Sequence, residues 1–314
     1  MRDDGRGQTI VAGQGGDKAS KAMRFWPKFT PKPIEPPKRK PQVRPKTVAE
    51  EARESAVLDV RGGGKRLRAV VIGSGPKVAP TLVFLHEGLG CIAIWRGFPA
   101  AVVKATGCNA LIFERQGHGG SDPLDGPRGV DYLERETGFV LPEVLDYFGI
   151  EKATLIGHSD GGTIALLFAA MFPERTEGVI AIAAHAFVEE AALIGIRNTL
   201  TLFEKNRGFR ERLERYHDEN TAPLMHAWAD IWLSEAFRSW NIETRLGSVL
   251  APVLIIQGST DEYATPEHVE RIAKALGGPV ETLLIEGAGH TPQREAQDQV
   301  VQAIERFLKD LYAK

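Results

Sequence analysis

Residues 153–170 combine side chains and spacing that suit nucleophilic catalysis. An apolar run over residues 153–156 leads into the sequence GHSDGG at residues 157–162 and then into a helical pattern. The glycines of a G-x-S-x-G turn let the backbone bend sharply and hold the serine hydroxyl clear of the sheet. The free N–H groups of the following helix point at whatever that serine attacks. The pattern predicts Ser159 as a nucleophile, with an ordinary serine in a glycine-rich turn as the alternative.

Three further apolar runs end in groups that could assist such a serine. Residues 81–85 lead into His86, residues 253–256 lead towards Asp261, and residues 280–285 lead towards His290. Ligands of an open parallel sheet bind beyond the carboxyl ends of its strands, so these groups should gather at one edge. A histidine can remove the serine proton, and an acid can orient that histidine.

The order of the predicted elements explains how these groups would meet. A hairpin with strands at residues 55–60 and 67–72 comes first, and strands then alternate with helices. The later strands are predicted at 81–85, 109–113, 153–156, 178–183, 253–256 and 280–285, and the flanking helices at 94–105, 131–148, 266–276 and 293–311. Such alternation predicts an α/β fold with a mainly parallel, doubly wound sheet. A mostly helical insertion at residues 187–246 interrupts it.

The composition of the chain argues against several other classes of protein. A formal net charge of −2 and a pI near 6.5 give no reason to expect a nucleic-acid or membrane-surface partner. The apolar runs are too short to span a bilayer, and no secretory signal is seen, so we expect a cytoplasmic protein. Cys91 and Cys108 do not make a disulfide framework, and no His or Cys pair has ligand spacing. We therefore expect neither a metal nor a cofactor.

Residues 1–46 differ in composition from the rest of the chain. They hold 7 of the 19 prolines and carry 12 Lys or Arg against 4 Asp or Glu. Prolines forbid a continuous helix, and the basic residues between them repel one another. We expect a disordered, basic, proline-rich extension, followed by a folded domain over residues 47–314.

Taken together, the motifs resemble those of the α/β-hydrolase superfamily over nearly all of residues 55–314. The chain order of its triad is nucleophile, acid, histidine. The resemblance implies that Ser159 is the nucleophile, Asp261 the acid and His290 the base. Asp261 competes for its role with Glu262 and, less seriously, with Glu189 or Glu190.

The resemblance also implies an oxyanion hole, formed by the amides of Asp160 and Gly88. The common form of the second motif is His-Gly-x, whereas this chain has His86, Glu87 and Gly88 in that order. This departure leaves open whether Gly88 or Leu89 supplies the second amide. His86 and His158 flank the site, where such positions in the superfamily brace loops by hydrogen bonds.

The insertion at residues 187–246 resembles the helical cap of the superfamily. It carries three of the five tryptophans, Trp228, Trp232 and Trp240. Trp228 and Trp232 are four residues apart and share a helix face. Together with Leu89, these tryptophans are candidates for the wall of a substrate pocket. The alternative is that they form the core of the cap or its seam with the main domain.

These inferences predict a serine hydrolase that acts on a small carboxylic ester with a hydrophobic acyl part. One alternative is an enzyme that uses the same triad to cleave a carbon–carbon bond next to a ketone, as relatives that process ring-fission products do. Another is a slow-turnover ligand receptor of the same fold. The sequence leaves the substrate and the oligomeric state open.

Overall fold

A computed structural model describes residues 58–73 and 79–313. The predicted extension at residues 1–46 lies outside these residues, as do positions 55–57 of the predicted first strand. In the described part, eight strands form one sheet in the order β1-β2-β4-β3-β5-β6-β7-β8. The strands are β1 (Leu58–Gly62), β2 (Lys65–Ile72), β3 (Thr81–Leu85), β4 (Asn109–Phe113), β5 (Ala153–His158), β6 (Thr176–Ile182), β7 (Val253–Gly258) and β8 (Val280–Ile285).

The sheet is antiparallel at one end and parallel elsewhere, as predicted. Strand β2 pairs antiparallel with both β1 and β4, and from β4 onwards every neighbouring pair is parallel. The hairpin turns at Gly63 and Gly64, whose φ angles are +60° and +75°. Glycine adopts such left-handed backbone without the steric cost that a Cβ would bring.

Helices lie at nearly all the predicted positions. They are α1 (Phe98–Thr106), α2 (Tyr132–Arg135), α3 (Leu141–Tyr147), α4 (Asp160–Met171), α5 (Glu190–Lys205), α6 (Arg207–His217), α7 (Thr221–Leu233), α8 (Glu243–Leu246), α9 (Glu267–Ala275), α10 (Pro292–Glu295) and α11 (Gln297–Tyr312).

Two predicted helices are each divided in the structure. A π-turn at Glu136–Val140 joins α2 to α3. Pro142 lies just beyond this turn, and because it has no N–H it cannot donate to the preceding turn of helix. The closing helix breaks at Ala296, between α10 and α11, where φ is −135° and ψ is 46°.

The apolar core lies on both faces of the sheet. Every residue of β3, β4 and β5 is buried. Alternate residues face opposite sides: Val83 joins the cluster under α3 and α4, while Leu82 joins the cluster under α1 and α11. This is the doubly wound arrangement that the sequence predicts, and it leaves the carboxyl ends of the parallel strands at one edge.

Between β6 and β7 the chain forms the helices α5 to α8. We call residues 187–246 the helical segment. Its buried apolar side chains, including Phe203, Leu213 and Met225, are continuous with the cluster on the α4 side of the sheet. No helix within residues 58–73 and 79–313 has both the length and the apolar character needed to cross a membrane.

Candidate active site

Ser159 occupies the sharp turn between β5 and α4. Its backbone has φ 54° and ψ −118°, which is strained for a residue with a side chain. The turn is held because the Ser159 amide donates to the carbonyl oxygen of Ile182 at 2.9 Å. A methyl group on Gly161 would lie 1.9 Å from the carbonyl oxygen of Leu85, and one on Gly157 would lie 2.0 Å from that of Gly161. Glycine is therefore required at both positions for strand and helix to approach this closely.

Asp261 and His290, the predicted acid and base, are in direct contact. The Nδ1–H group of His290 donates to the Asp261 carboxylate, whose oxygens lie 2.8 and 2.9 Å away. The same carboxylate accepts from the amide of Tyr263 at 2.8 Å and from Nε2 of Gln257 at 2.6 Å. The side chain of Asp261 has no exposed surface. The carboxylate is thus fixed from several directions and fixes the imidazole in turn.

The charges of this pair reinforce the contact. Burial is the largest influence on both groups and opposes their ionisation, but the opposite charge and the hydrogen bond between them outweigh it. As a result, the pKa of Asp261 is lowered and the pKa of His290 is raised. With Asp261 ionised and Nδ1 protonated, the Nε2 atom of neutral His290 carries the lone pair. That nitrogen can accept a proton.

The competing acids make other contacts. Glu262 accepts from the main-chain amide of His290 at 3.2 Å, not from its ring. Glu189 accepts from the amide and hydroxyl of Thr265. Glu190 pairs with Arg197 on the surface. Among the four acids weighed from the sequence, the structure brings Asp261 to the imidazole.

The loop after β3 lines the same site and is held through its carbonyl groups. Arg115 Nη2 donates to the carbonyl oxygen of Glu87 at 2.8 Å, and the Nε2 atom of His118 lies 3.1 Å from that of Gly88. In a trans peptide the N–H points away from the C=O, so these contacts fix the directions of the Gly88 and Leu89 amides. Neither Gly88 nor Leu89 donates its N–H to another described residue. Both remain candidates for the second oxyanion donor.

Asp160, predicted to contribute its amide, is also held by its side chain. Its buried carboxylate accepts from the hydroxyl of Tyr132 at 3.0 Å, and that hydroxyl accepts from Nε1 of Trp232 at 2.8 Å. The guanidinium groups of Arg115 and Arg128 lie 3.6 and 3.8 Å from the same carboxylate oxygen. The first turn of α4 is thereby anchored next to Ser159.

Glu87 stands where the superfamily motif commonly has glycine, and it joins three loops. Its carboxylate lies 3.4 Å from Nδ1 of His158, and Nε2 of His158 donates to the carbonyl oxygen of His290 at 2.7 Å. Burial by itself would raise the pKa of Glu87. The hydrogen bond to His158 and the charge of that ring outweigh burial, so the pKa is lowered to about 2. An ionised Glu87 therefore braces His158, and His158 braces the loop that carries His290.

Ser159 and His290 both line one pocket, whose empty space, including the part open to solvent, is about 780 Å³. We call the loops that follow β3, β5, β7 and β8 the floor of this pocket. The side chains that the helical segment contributes form its roof; they are Ile196, Thr199, Leu202, Phe209, Trp228 and Trp232. Leu89 also lines the pocket from the floor side.

The three candidate tryptophans have different surroundings. Trp228 and Trp232 line the pocket, whereas Trp240 is not among the described residues that do so. Trp240 stacks on Phe237 at 5.1 Å between ring centroids and lies 5.8 Å from Trp232. Trp240 therefore belongs to an aromatic cluster with Phe237 and Trp232, which we call the aromatic seam of the helical segment.

The roof is attached to the floor by a few polar contacts. His217 Nε2 donates to the carbonyl oxygen of Leu89 at 3.0 Å, and its Nδ1 accepts from the amide of Gly119 at 3.0 Å. The hydroxyl groups of Thr199 and Tyr263 form a short hydrogen bond. With the Trp232–Tyr132 bond, these contacts tie the helical segment to the loops around Ser159, Asp261 and the oxyanion donors.

Several residues of this site were not predicted from the sequence. Arg115 follows β4, so the rule that placed His86 at a strand end would have found it. Tyr132 and Tyr263 are different, because their importance depends on partners 100 and 64 positions away along the chain. In the described stretches, no cluster of three or more His, Cys, Asp or Glu could hold a metal ion.

Comparison with known proteins agrees with this architecture. A family model described as the alpha/beta hydrolase family matches residues 82–303. The match covers well over half of the chain, so this protein belongs to the alpha/beta hydrolase family. It is therefore a hydrolase, and the family and fold predicted from the sequence are confirmed.

Individual relatives cover most of the chain at modest identity. A 2-hydroxy-6-oxononadienedioate/2-hydroxy-6-oxononatrienedioate hydrolase of Klebsiella pneumoniae is 25% identical and covers 82% of this chain and 96% of its own. The carboxylesterase YbfK of Bacillus subtilis is also 25% identical, covering 76% and 83%. The crystal structure of the enol-lactonase from Burkholderia xenovorans matches with a TM-score of 0.61 at 20% identity, covering 80% and 99%. The structural likeness supports the fold, and the names of the relatives support hydrolysis.

Proposed function

We propose that this hydrolase cleaves small carboxylic esters with a hydrophobic acyl part, by way of an acyl-enzyme on Ser159. One observation supports this most: His290 is hydrogen-bonded to Asp261 and lines the same pocket as the strained Ser159. The pocket is walled largely by apolar side chains, which suits a hydrophobic acyl group. In this proposal the helical segment acts as a cap over the substrate.

The first half of the reaction acylates the enzyme. The Oγ atom of Ser159 attacks the ester carbonyl carbon while Nε2 of His290 takes its proton. Asp261 keeps the proton on Nδ1 and balances the positive charge of the imidazolium. The oxyanion accepts hydrogen bonds from the amide of Asp160 and from that of Gly88 or Leu89. When the tetrahedral intermediate collapses, His290 gives its proton to the departing alcohol.

The second half releases the acid. A water molecule gives a proton to His290 Nε2 as its oxygen attacks the acyl carbon, and the same amides hold the second oxyanion. The bond to Ser159 Oγ then breaks, and His290 returns its proton to that oxygen. Each protonation is thus reversed within one cycle, so the three side chains end as they began and no external acid or base is consumed.

A panel of p-nitrophenyl esters of graded acyl length tests this function. We expect turnover that depends on acyl length and a covalent adduct between Ser159 and a fluorophosphonate probe. Ser159→Ala should abolish both, while Ser248→Ala provides a matched control, because Ser248 is exposed and does not line the pocket. Labelling that persists in Ser159→Ala would reject the assigned nucleophile.

A second candidate function is hydrolysis of a carbon–carbon bond next to a ketone. It is favoured by the Klebsiella pneumoniae relative, whose name describes a hydrolase of an oxo-dicarboxylate. Activity on a vinylogous diketone, with none on any ester of the panel, would select this function. Tight binding of such compounds with negligible turnover would instead select a ligand receptor. The cytoplasmic location stays a prediction from the sequence.

A further inference from the structure

The indole N–H groups of the three tryptophans in the helical segment are used differently. Nε1 of Trp232 donates to the hydroxyl of Tyr132 at 2.8 Å. Nε1 of Trp240 is buried without a hydrogen-bond partner in the aromatic seam. Nε1 of Trp228 donates to no described residue. Unlike Nε1 of Trp240, it is not fully buried. Trp228 is thus the member of this group with a donor available on the pocket side.

The nitrogen edge of Trp228 faces the oxyanion loop. A methyl group built on Gly88 would lie 2.4 Å from Trp228 Nε1, closer than from any other atom of the indole ring. Gly88, Ser159 and Trp228 line the same pocket. The indole N–H therefore lies next to the loop whose amides, those of Gly88 and Leu89, have no acceptor of their own among the described residues.

The indole is also well fixed. Trp228 is 8% exposed and packs in the apolar cluster that joins the helical segment to the sheet. Its ring centroid lies 6.5 Å from that of Tyr263, and Tyr263 is hydrogen-bonded to Thr199. A donor that is already immobile needs little reorganisation when negative charge develops beside it.

From this placement we propose that Trp228 is a catalytic residue: its Nε1–H donates a hydrogen bond to the substrate oxygen that becomes the oxyanion. The proposal rests on the function proposed above. It gives the oxyanion a side-chain donor from the roof in addition to the two main-chain donors of the floor. It also explains why the position over Gly88 holds an aromatic ring with its polar edge turned inward.

The test compares Trp228→Phe with Trp240→Phe, the same substitution in the same segment but outside the pocket. The readout is the second-order rate constant for labelling of Ser159 by a fluorophosphonate, because its P=O oxygen occupies the oxyanion site. Loss of one oxyanion donor typically costs about 10²-fold or more in turnover. We expect labelling to slow at least tenfold in Trp228→Phe and to remain near the wild-type rate in Trp240→Phe, with partial recovery in Trp228→His, which restores a ring N–H.

Melting temperatures of all variants separate loss of a donor from loss of the fold. On the best ester, kcat should fall in Trp228→Phe while KM changes little. Labelling of Trp228→Phe at the wild-type rate, or a rise in KM alone, would overturn the proposal and leave the indole as an apolar wall. Wild-type protein that is labelled but cleaves no ester would reject the ester function, and the labelling rates would still decide the role of Trp228. Wild-type Ser159 that resists the probe would reject both.

Discussion

The floor and the roof of the pocket are built by different means. On the floor, hydrogen bonds fix the acid and the base; the Asp261 carboxylate alone accepts from His290, Tyr263 and Gln257. The roof presents mainly apolar side chains and meets the floor through contacts such as those of His217 and Thr199. Directional bonds fix positions to fractions of an ångström, whereas apolar packing tolerates substitution of similar volume. The floor is therefore suited to set the chemistry, and the roof to set the choice of substrate.

The largest effects should come from the floor groups that exchange the proton. Ser159→Ala and His290→Ala should each reduce turnover on the order of 10⁶-fold, because neither residue can act without the other. For the same reason the double variant should be scarcely slower than either single one. Steady-state rates on the best ester of the panel measure this. Losses that multiply in the double variant would show that the two side chains act independently.

The next effect separates the two neighbouring acids. Asp261→Asn should cost on the order of 10⁴-fold in turnover, because an amide can trap the imidazole in the wrong tautomer. Glu262→Gln should cost far less, since Glu262 contacts only the main chain of His290. A larger loss in Glu262→Gln would identify Glu262 as the acid.

The pH dependence gives this comparison a second readout. His290 acts as a base only when neutral, and its pKa is raised, so kcat/KM should fall as the pH drops through a value above about 6.5. Asp261 contributes to that raised pKa, so the acid limb should move to lower pH in Asp261→Asn. Glu262→Gln should move it in the same direction by less, because the charge of Glu262 is a weaker influence on His290. An acid limb that stays in place in Asp261→Asn would contradict the assigned pair.

A smaller effect should follow when the brace between floor loops is weakened. Glu87→Gln leaves His158 without a carboxylate partner, and we expect kcat to fall on the order of tenfold, the effect of losing one charge-assisted hydrogen bond. Glu286→Gln is the control, since it neutralises an exposed acid in the loop before His290. Equal rates for Glu87→Gln and the control would show that this brace does not position His290.

The mildest effect should come from the roof. Leu202→Ala removes part of the apolar wall, so the preferred acyl chain should lengthen and kcat/KM for short chains should fall by about 10-fold. Rates on the favoured ester should stay close to those of the wild type. Leu200→Ala, in the same helix but outside the described lining, is the matched control. Unchanged selectivity in Leu202→Ala would place the acyl group elsewhere.

The sequence predicted the floor better than the roof for a physical reason. Parallel strands end at a common edge, so Ser159, Asp261 and His290 could be brought together from the strand order alone. Their roles in catalysis stay predictions. The bond between Trp232 and Tyr132 spans 100 positions, and no local pattern encodes such a contact. Helical spacing correctly grouped Trp228 with Trp232, but it could not show that Trp240 faces the seam.

Among the helices and strands, too, some bounds were predicted from the sequence and others were not. Buried strands such as β3 and β4 were predicted to the residue because their apolar runs have clear ends. The break at Ala296 was not predicted, because no proline or glycine marks it in the sequence. Glu295, just before it, accepts from the amide of Gly289 and the hydroxyl of Thr291, which ties α10 to the loop of His290.

The contact of Gly161 with the carbonyl oxygen of Leu85 bears on how this chain can diverge over evolutionary time. Any side chain at position 161 would force β3 and α4 apart, and the oxyanion loop that follows β3 would move away from the serine. Position 161 therefore cannot accept a substitution, whereas the roof, which packs mainly through apolar contacts, can accept many. Descendants of this protein would be expected to change what they hydrolyse long before they change how they do so.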